Sequence, residues 1–202
     1  MTQLLIASQN QHKLAEFRFL LADIPYTLVL PSEVGLSDFD VEETGTSLGE
    51  NATLKARAFT LASGLLALAD DSGLFVDALD GQPGIYAKRY GGPGLDDAGR
   101  RRRLLEALHG IPDEQRTARF EAVIALADPH DGSVITVHGI CPGRIIHEDR
   151  GTGGFGYDPL FVPDGYHETF AEMEAEMKDR LSHRGRAAAQ IVPLLTARAQ
   201  QG

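Results

Sequence analysis

The sequence predicts an α/β protein with a mixed central β-sheet. Strand patterns and helical patterns alternate through the first half of the chain, which is typical of parallel strands joined by helices. Later, two alternating segments separated by a polar turn indicate an antiparallel hairpin. Because the chain has 202 residues, of which 43% are hydrophobic, we expect residues 1–202 to form one domain, or two lobes that share a core, and not two independent domains.

The first half of the chain contains three predicted strands and two predicted helices. The strands cover residues 4–7, 26–30 and 65–69, and the helices cover residues 12–22 and 48–63. The second helix has the spacing of a capping box at Ser47 and Glu50, and Gly64 is its stop signal. We expect the polar segment 70–73 to end the third strand.

The second half begins with a predicted helix and continues into the hairpin. The helix covers 95–108, the hairpin strands cover 119–127 and 133–139, a sheet extension covers 144–147, and a glycine-rich loop covers 151–156. The remainder is mainly helical by its pattern. Pro193 is expected to kink or restart the last helix.

The charge balance restricts the partners of the protein. The chain has 19 Lys and Arg residues against 29 Asp and Glu residues, a formal net charge of -10. This balance argues against nucleic acid or an anionic membrane as a main partner. An acidic protein that binds a polyphosphate needs a local cluster of donors and a metal ion. No apolar stretch approaches the roughly 20 residues that span a bilayer, and no signal-peptide pattern is present, so we expect a cytoplasmic protein.

A polar segment lies between the first predicted strand and the first helix. Free backbone N–H groups and the helix dipole favour an anion at such a position. The segment consists of Ser8, Gln9, Asn10, Gln11, His12 and Lys13. Its side chains add donors and one positive charge, so it indicates a phosphate-binding loop. The same residues also fit an ordinary polar loop with a capping asparagine.

Two acidic pairs supply candidate metal ligands. Glu42 precedes Glu43, and Asp70 precedes Asp71 directly after the predicted strand 65–69. Neighbouring side chains of an extended segment point to opposite sides, so we expect one glutamate and one or two aspartates to converge. Their oxygens suit Mg²⁺, which keeps waters and bridges phosphates. The alternative is a solvated Asp-Ser-Gly turn.

Two further segments carry candidate base contacts. The glycine-rich loop ends in Phe155, Gly156, Tyr157 and Asp158, where glycine allows a ligand to approach the backbone and Phe155 can stack on a base. Lys178, His183 and Arg184 form a group of donors in a helical region. A donor-lined pocket favours a 6-oxo purine over adenine, because adenine would leave buried donors unpaired. A structural turn and solvated basic residues are the alternatives.

The run Arg100 to Arg103 is the most conspicuous charge cluster. Four consecutive residues of a helix fan around most of its circumference, so they do not form one binding face. We interpret the run as a solvated helix, with a subunit or lobe contact as the alternative.

Several segments together resemble the inosine triphosphate pyrophosphatase family, whose members hydrolyse deaminated purine nucleotides. The matching motifs are Ala7-Ser8-Gln9-Asn10 with Lys13, Glu42-Glu43-Thr44-Gly45, Glu50-Asn51-Ala52 with Lys55-Ala56, Ala69-Asp70-Asp71-Ser72-Gly73-Leu74, Val76-Asp77-Ala78-Leu79, Pro83-Gly84-Ile85-Tyr86 with Arg89-Tyr90, Phe155-Gly156-Tyr157-Asp158-Pro159 and Ser182-His183-Arg184-Gly185. They occur in the order of the family and cover nearly the whole chain.

The resemblance implies an elongated fold with two lobes around a central substrate cleft, and a homodimer. It implies Mg²⁺-dependent hydrolysis of ITP, dITP and XTP to the monophosphate and pyrophosphate. By resemblance, residues 8–13 bind the phosphates, Ser72 contacts the substrate and Asp71 is the catalytic base. Glu43 and Asp71 are the implied metal ligands, to which the acidic pairs add Asp70 as a candidate. Phe155 to Asp158, Lys178, His183 and Arg184 are the implied base pocket.

Two other functions fit parts of the sequence. A pyrophosphatase acting on pyrimidine or otherwise damaged nucleotides would need the same metal, and only its substrate profile would differ. A nucleotide-binding regulatory module without turnover would also need donors. The gathered carboxylates argue against such a module, because a pure binder of polyanions gains little from them.

Overall fold

The computed structural model describes residues 2–200, and these form a mixed β-sheet with flanking helices. The strands are β1 (Thr2–Ile6), β2 (Tyr26–Val29), β3 (Leu66–Val76), β4 (Pro83–Gly84), β5 (Thr117–Ala127), β6 (Val134–Ile145) and β7 (Phe161–Pro163). The α-helices are α1 (Gln11–Leu20), α2 (Leu48–Ser63), α3 (Asp97–Ala107), α4 (Ala175–Leu181) and α5 (His183–Ala199).

The strand order is β2-β1-β3-β5-β6-β7, and β4 pairs with β3. β1 runs parallel to both β2 and β3, whereas β4 is antiparallel to β3 and β7 is antiparallel to β6. Parallel and antiparallel pairs therefore occur in one sheet. The predicted α/β class with a mixed sheet is confirmed.

The chain divides into two compact units. Within the described residues, unit 1 comprises 2–71, 122–139 and 184–200, and unit 2 comprises 72–121 and 140–183. Two of the boundaries fall within secondary-structure elements. One lies in β3, directly after Asp71, and the other lies in α5, directly before Arg184. Each unit has its own hydrophobic core.

The core of unit 1 covers both faces of β1. Leu4 and Ile6 pack in a cluster with Phe17 of α1 and Ile191 of α5. Leu5, on the opposite face, packs in a second cluster with residues of α2. Because successive side chains of a strand point to opposite faces, helices on both sides enclose the parallel strands. This packing fixes the carboxyl end of β1, where the polar segment begins.

The core of unit 2 is built around aromatic rings. Phe161 lies between Phe120 and Phe170, with ring centres 4.7 Å and 5.0 Å away. Leu104 and Leu108, from the α3 region, are fully buried in the same cluster. α3 is therefore firmly attached to the core of this unit.

The sequence signals of α2 are confirmed. The Ser47 hydroxyl accepts a hydrogen bond from the Glu50 backbone N–H at 3.2 Å, and Gly64 ends the helix in the left-handed region with φ of 69°. The Glu50 carboxylate accepts a hydrogen bond from the Thr46 N–H at 2.6 Å. The cap therefore orders the segment that leads from Glu43 into the helix.

The prediction that residues 70–73 end the third strand is wrong. β3 continues through this segment to Val76, and Asp70 and Asp71 are 3% and 7% exposed. Pairing with β4 extends the strand, and a side chain at Gly73 would collide with the carbonyl of Gly84. The two aspartates are therefore rigid parts of a buried strand and do not belong to a solvated turn.

Two sequence predictions concern the helices. α5 continues through Pro193 to Ala199, so the predicted restart at the proline does not occur. Across residues 2–200, the helices all fall short of the length and apolar character that a bilayer crossing requires.

Candidate active site

The polar segment after β1 is ordered by its own side chains. The side-chain oxygen Oδ1 of Asn10 accepts hydrogen bonds from the backbone N–H groups of His12, at 2.9 Å, and Lys13, at 3.3 Å. The Ser8 hydroxyl accepts one from the Asn10 N–H at 3.2 Å. The Gln9 amide donates to the carbonyl of Ser37 at 2.9 Å. The predicted capping role of Asn10 is confirmed, whereas the contact of residues 8–13 with phosphate stays a prediction.

A chain of buried ion pairs links α1, β3 and α5 within unit 1. Lys13 Nζ lies 3.1 Å from Asp70 Oδ1, and Arg184 donates to Asp70 Oδ2 at 2.8 Å and 3.1 Å. Arg184 also pairs with the buried carboxylate of Glu16. We call Lys13, Asp70, Arg184 and Glu16 the ion-pair chain. The Asp70 carboxylate of this chain holds the Lys13 ammonium in place.

The charges of the ion-pair chain depend on one another. Burial alone would raise the pKa of Asp70, but Arg184, Lys13 and Lys55 together lower it well below the ordinary value. Burial lowers the pKa of Lys13, and the positive charge of Arg184 adds to that shift. Asp70 is therefore firmly ionised, and it stabilises the charges of two cations that would otherwise be costly to bury.

A second group joins Glu43 and Asp71 through α2. Lys55 Nζ donates to Glu43 Oε1 at 2.8 Å, to the Asp70 carbonyl at 2.7 Å and to Asp71 Oδ1 at 3.3 Å. Asn51, one turn earlier on α2, donates to Asp71 Oδ2 at 3.2 Å and accepts from the Gly45 N–H at 2.8 Å. Both oxygens of Asp71 are therefore held by side chains of one helix.

Asp71 has the electrostatics of a proton acceptor. Burial raises its pKa, Lys55 opposes that shift, and the negative charge of Glu43 adds to it. Lys55 itself is desolvated, yet Asp71, Asp70 and Glu43 raise its pKa above the ordinary value. A carboxylate with a raised pKa is a stronger proton acceptor than an ordinary aspartate.

The arrangement of carboxylate side chains determines whether a metal ion can bind. Over residues 2–200, no three His, Cys, Asp or Glu side chains are grouped so as to hold one. Glu43 and Asp71 nevertheless converge on a single cation, the Lys55 ammonium. Mg²⁺ takes one or two carboxylates and completes its shell with water and phosphate oxygens. The pair fits an ion that enters with a polyphosphate. Asp70 faces Lys13 and Arg184, and its role as a metal ligand stays a prediction.

The loop before β7 in unit 2 places an aromatic ring, a carboxylate and an ammonium together. Asp158 Oδ2 accepts from the Phe155 N–H at 2.9 Å and lies 3.0 Å from Lys178 Nζ. The ammonium of Lys178 lies 4.9 Å from the centre of the Phe155 ring. A side chain at Gly154 would collide with Asp158, so this loop needs glycine there. The predicted base-contacting residues Phe155, Asp158 and Lys178 are thus neighbours.

The remaining predicted site residues differ in their surroundings. Tyr157 is buried, and its hydroxyl donates to the Ala87 carbonyl at 2.9 Å, so its side chain anchors the loop. His183 stacks on Phe120, with ring centres 4.8 Å apart. Ser72 belongs to unit 2, directly after Asp71. Their contacts with substrate stay predictions.

Arg184 differs most from its predicted surroundings. The sequence interpretation grouped it with Lys178 and His183, but it belongs to unit 1, and its side chain is 1% exposed against Asp70 and Glu16. Its contact with a base stays a prediction. Sequence reasoning also missed Glu16, which follows Lys13 by three residues, and Asn51 and Lys55, which are four residues apart. The helical spacing i, i+3 and i, i+4 could have revealed these shared faces.

The fold and these clusters define a class of protein: an α/β protein with a polar loop after its first strand, buried carboxylates on β3 and a half-buried carboxylate beside α2. The chain belongs to the Ham1 family, which matches residues 4–194. The family resemblance inferred from the motifs is confirmed.

Relatives and solved structures support this assignment over nearly the whole chain. A dITP/XTP pyrophosphatase of Xanthomonas oryzae is 47% identical over 192 residues, which are 95% of this chain and 96% of the relative. The HAM1 protein of Coxiella burnetii has 42% identity and a TM-score of 0.88, covering 98% of this chain and 100% of that chain. The Staphylococcus aureus Ham1 protein has 38% identity and a TM-score of 0.86, with 98% and 100% covered.

Proposed function

We propose that the protein is a Mg²⁺-dependent pyrophosphohydrolase that converts dITP, ITP and XTP to the monophosphate and pyrophosphate, and so removes deaminated purines from the nucleotide pool. The observation that carries this proposal is the convergence of Glu43 and Asp71 on Lys55, beside the ion-pair chain of Lys13. Relatives named dITP/XTP pyrophosphatase support the substrate class. The resemblance also supports a homodimer, which light scattering on the purified protein would test.

The charge of the two clusters supports the proposed requirement for a divalent cation. The two clusters contain three cations, Lys13, Lys55 and Arg184, and four carboxylates, Glu16, Glu43, Asp70 and Asp71. When all are ionised, one negative charge is in excess, so the clusters alone do not attract a triphosphate. When bound by Glu43 and Asp71, Mg²⁺ would neutralise charge on the phosphates.

In the proposed reaction, a water oxygen attacks the α-phosphorus in line with the bond to the bridging oxygen. That bond breaks, and pyrophosphate leaves. Asp71 orients the water and accepts its proton, because its oxygens are fixed by Asn51 and Lys55 and its pKa is raised. Lys13 and the N-terminus of α1 hold the phosphates and stabilise the developing charge.

The base is selected by residues of unit 2 in this proposal. Phe155 stacks on the purine, Asp158 accepts from a ring N–H, and Lys178 and His183 supply donors. A 6-oxo group accepts a hydrogen bond where adenine presents an amino donor, so adenine would leave buried donors unpaired. Asp158 and Lys178 are already fixed 3.0 Å apart, which lowers the cost of ordering the pocket.

The test of the proposal is a substrate panel with product identification. The purified protein is incubated with dITP, ITP, XTP, GTP, ATP and CTP, with and without Mg²⁺, in water enriched in ¹⁸O. We expect pyrophosphate from dITP, ITP and XTP only when metal is present, with ¹⁸O in the monophosphate. Orthophosphate as the first product, label in pyrophosphate, or equal rates with ATP and CTP would contradict the proposal.

Replacing Glu43 by Gln is expected to raise the Mg²⁺ concentration for half-maximal activity about tenfold or more, because one of two carboxylate ligands is lost. Mn²⁺ binding followed by electron paramagnetic resonance should weaken in parallel. Glu42→Gln is the matched control, since Glu42 is the exposed neighbour. Equal metal requirements of the two variants would remove Glu43 from the metal site.

A further inference from the structure

α3 is hydrogen-bonded to the backbone of the glycine-rich loop, and we call the hydrogen bonds of Asp97 and Arg101 to Gly156 the grip. Asp97 Oδ2 accepts from the Gly156 N–H at 3.0 Å, and Arg101 Nη1 donates to the Gly156 carbonyl at 2.8 Å. Asp97 and Arg101 are four residues apart on α3, so they lie on one face of the helix. Both polar groups of one glycine residue are therefore bound by a single helix.

Arg101 is itself held in place by a second carboxylate. Its Nε lies 2.9 Å from both oxygens of Asp149, and its Nη2 lies 2.8 Å from Asp149 Oδ2. The Arg101 side chain is 15% exposed, although the run to which it belongs is a surface charge cluster. A planar guanidinium bound in this way has little rotational freedom left to lose.

The rest of the arginine run does not share this geometry. Arg100 pairs with Asp97 on its own helix at 3.3 Å, and Arg103 pairs with Glu106 at 2.6 Å. Arg103 is 58% exposed and Arg102 is exposed. The interpretation of the run as a solvated helix is right for Arg102 and Arg103 and wrong for Arg100 and Arg101, whose side chains are 19% and 15% exposed.

The grip acts on a residue that lies next to the proposed base contacts. Gly156 adopts φ of 60°, in the left-handed region, and it separates Phe155 from Tyr157. Tyr157 is anchored in the core, whereas Phe155 and Asp158 are the proposed base contacts. A glycine-rich segment has many accessible backbone conformations unless its polar groups are bound. The grip therefore fixes the backbone next to Phe155, and the contacts of Phe155 with Asp158 and Lys178 act on the same loop.

We propose that Asp97 and Arg101 are positioning residues that hold the loop 152–158 in the conformation that accepts the purine. This inference rests on the proposed function, because it takes Phe155 and Asp158 as base contacts. It assigns a role in substrate recognition to two residues that act through the backbone of Gly156. The phosphate-binding groups of unit 1 are not part of the grip.

The test compares Arg101→Met with Arg103→Met, the same change at an exposed position of the same helix. For Arg101→Met we expect the KM for dITP to rise about tenfold, the effect of losing a charged hydrogen bond to the loop. We expect kcat to stay within about twofold, because the reacting groups are intact. Inhibition by inorganic tripolyphosphate, which has no base, should be unchanged. Arg101→Lys should recover part of the loss.

Amide hydrogen exchange of the loop gives a second readout that does not depend on activity. Exchange in peptides covering residues 151–158 should be faster in Arg101→Met than in Arg103→Met. If Arg101→Met does not fold, Asp97→Ala, which removes the other half of the grip, takes its place. A KM for dITP equal to that of Arg103→Met, or a tripolyphosphate inhibition constant that rises in parallel, would overturn the proposal.

The outcomes separate this inference from the proposed function. If the wild-type protein releases no pyrophosphate from any triphosphate, the proposed function fails and the role in substrate recognition fails with it. The exchange experiment then decides whether the grip orders the loop. If the wild-type protein is active and the variant has faster exchange but an unchanged KM, only the positioning role is overturned.

Discussion

Asp71→Asn is expected to lower kcat for dITP about a thousandfold, the loss that follows when a general base is removed. Asparagine has the same shape as aspartate and can keep a hydrogen bond to Asn51, so the fold should be preserved. It cannot accept the proton of the attacking water, and it is a weaker metal ligand. The measurement is single-turnover pyrophosphate release at saturating Mg²⁺, with thermal unfolding of the same sample.

Asp77→Asn is the control for that experiment. Asp77 lies on the same stretch of chain, and its side chain is 56% exposed beside Arg119. The same chemical change there should leave kcat within about twofold of the wild-type value. A kcat of Asp71→Asn in that range would show that another group accepts the proton.

Arg184→Ala is expected to lower the free energy of unfolding by about 3–5 kcal/mol, because it leaves the buried carboxylates of Glu16 and Asp70 without their shared cation. For a chain of this length, such a loss corresponds to a fall of about 6–20 °C in Tm. Thermal unfolding followed by circular dichroism measures it.

Arg186→Ala provides the comparison, since Arg186 is exposed on the same helix. Its Tm should stay close to that of the wild-type protein. A similar Tm for the two variants would mean that the ion-pair chain adds little to stability. The ratio of kcat/KM for ITP over ATP in Arg184→Ala tests a separate prediction, that Arg184 contacts the base. An unchanged ratio would leave Arg184 with its role in the ion-pair chain alone.

Local signals predicted the elements of the fold well. The apolar spacing of residues 12–22 predicts a helix because one face of α1 packs on the core. Ser47 and Gly64 mark the two ends of α2. The aspartates at 70 and 71 misled for a physical reason. Their composition is typical of a turn, but groups distant in the sequence compensate their burial: Lys13 and Arg184 pair with Asp70, and Lys55 pairs with Asp71.

Contacts between residues that are far apart in the sequence also limit what the sequence could reveal of the site. Asp70 is paired with a residue 114 positions away, and Glu16 accepts from Arg184 across 168 positions. No periodicity connects such partners. Arg101 shows the converse, because a charge run that looks uniform on a helix has one member whose contacts set it apart. Residue types indicated the candidate chemistry, whereas the tertiary contacts around each residue could not be predicted from the sequence.

The ion-pair chain also has a consequence for synthesis on the ribosome. Glu16, Asp70 and Lys13 emerge early, whereas Arg184 belongs to the last helix of the described chain. Until α5 has been made, the two carboxylates have no guanidinium to compensate their burial. Unit 1 is therefore expected to complete its ion-pair chain late, after translation has passed Arg184. Nascent chains stalled before that residue should remain sensitive to proteases in the segment around β1 and α1.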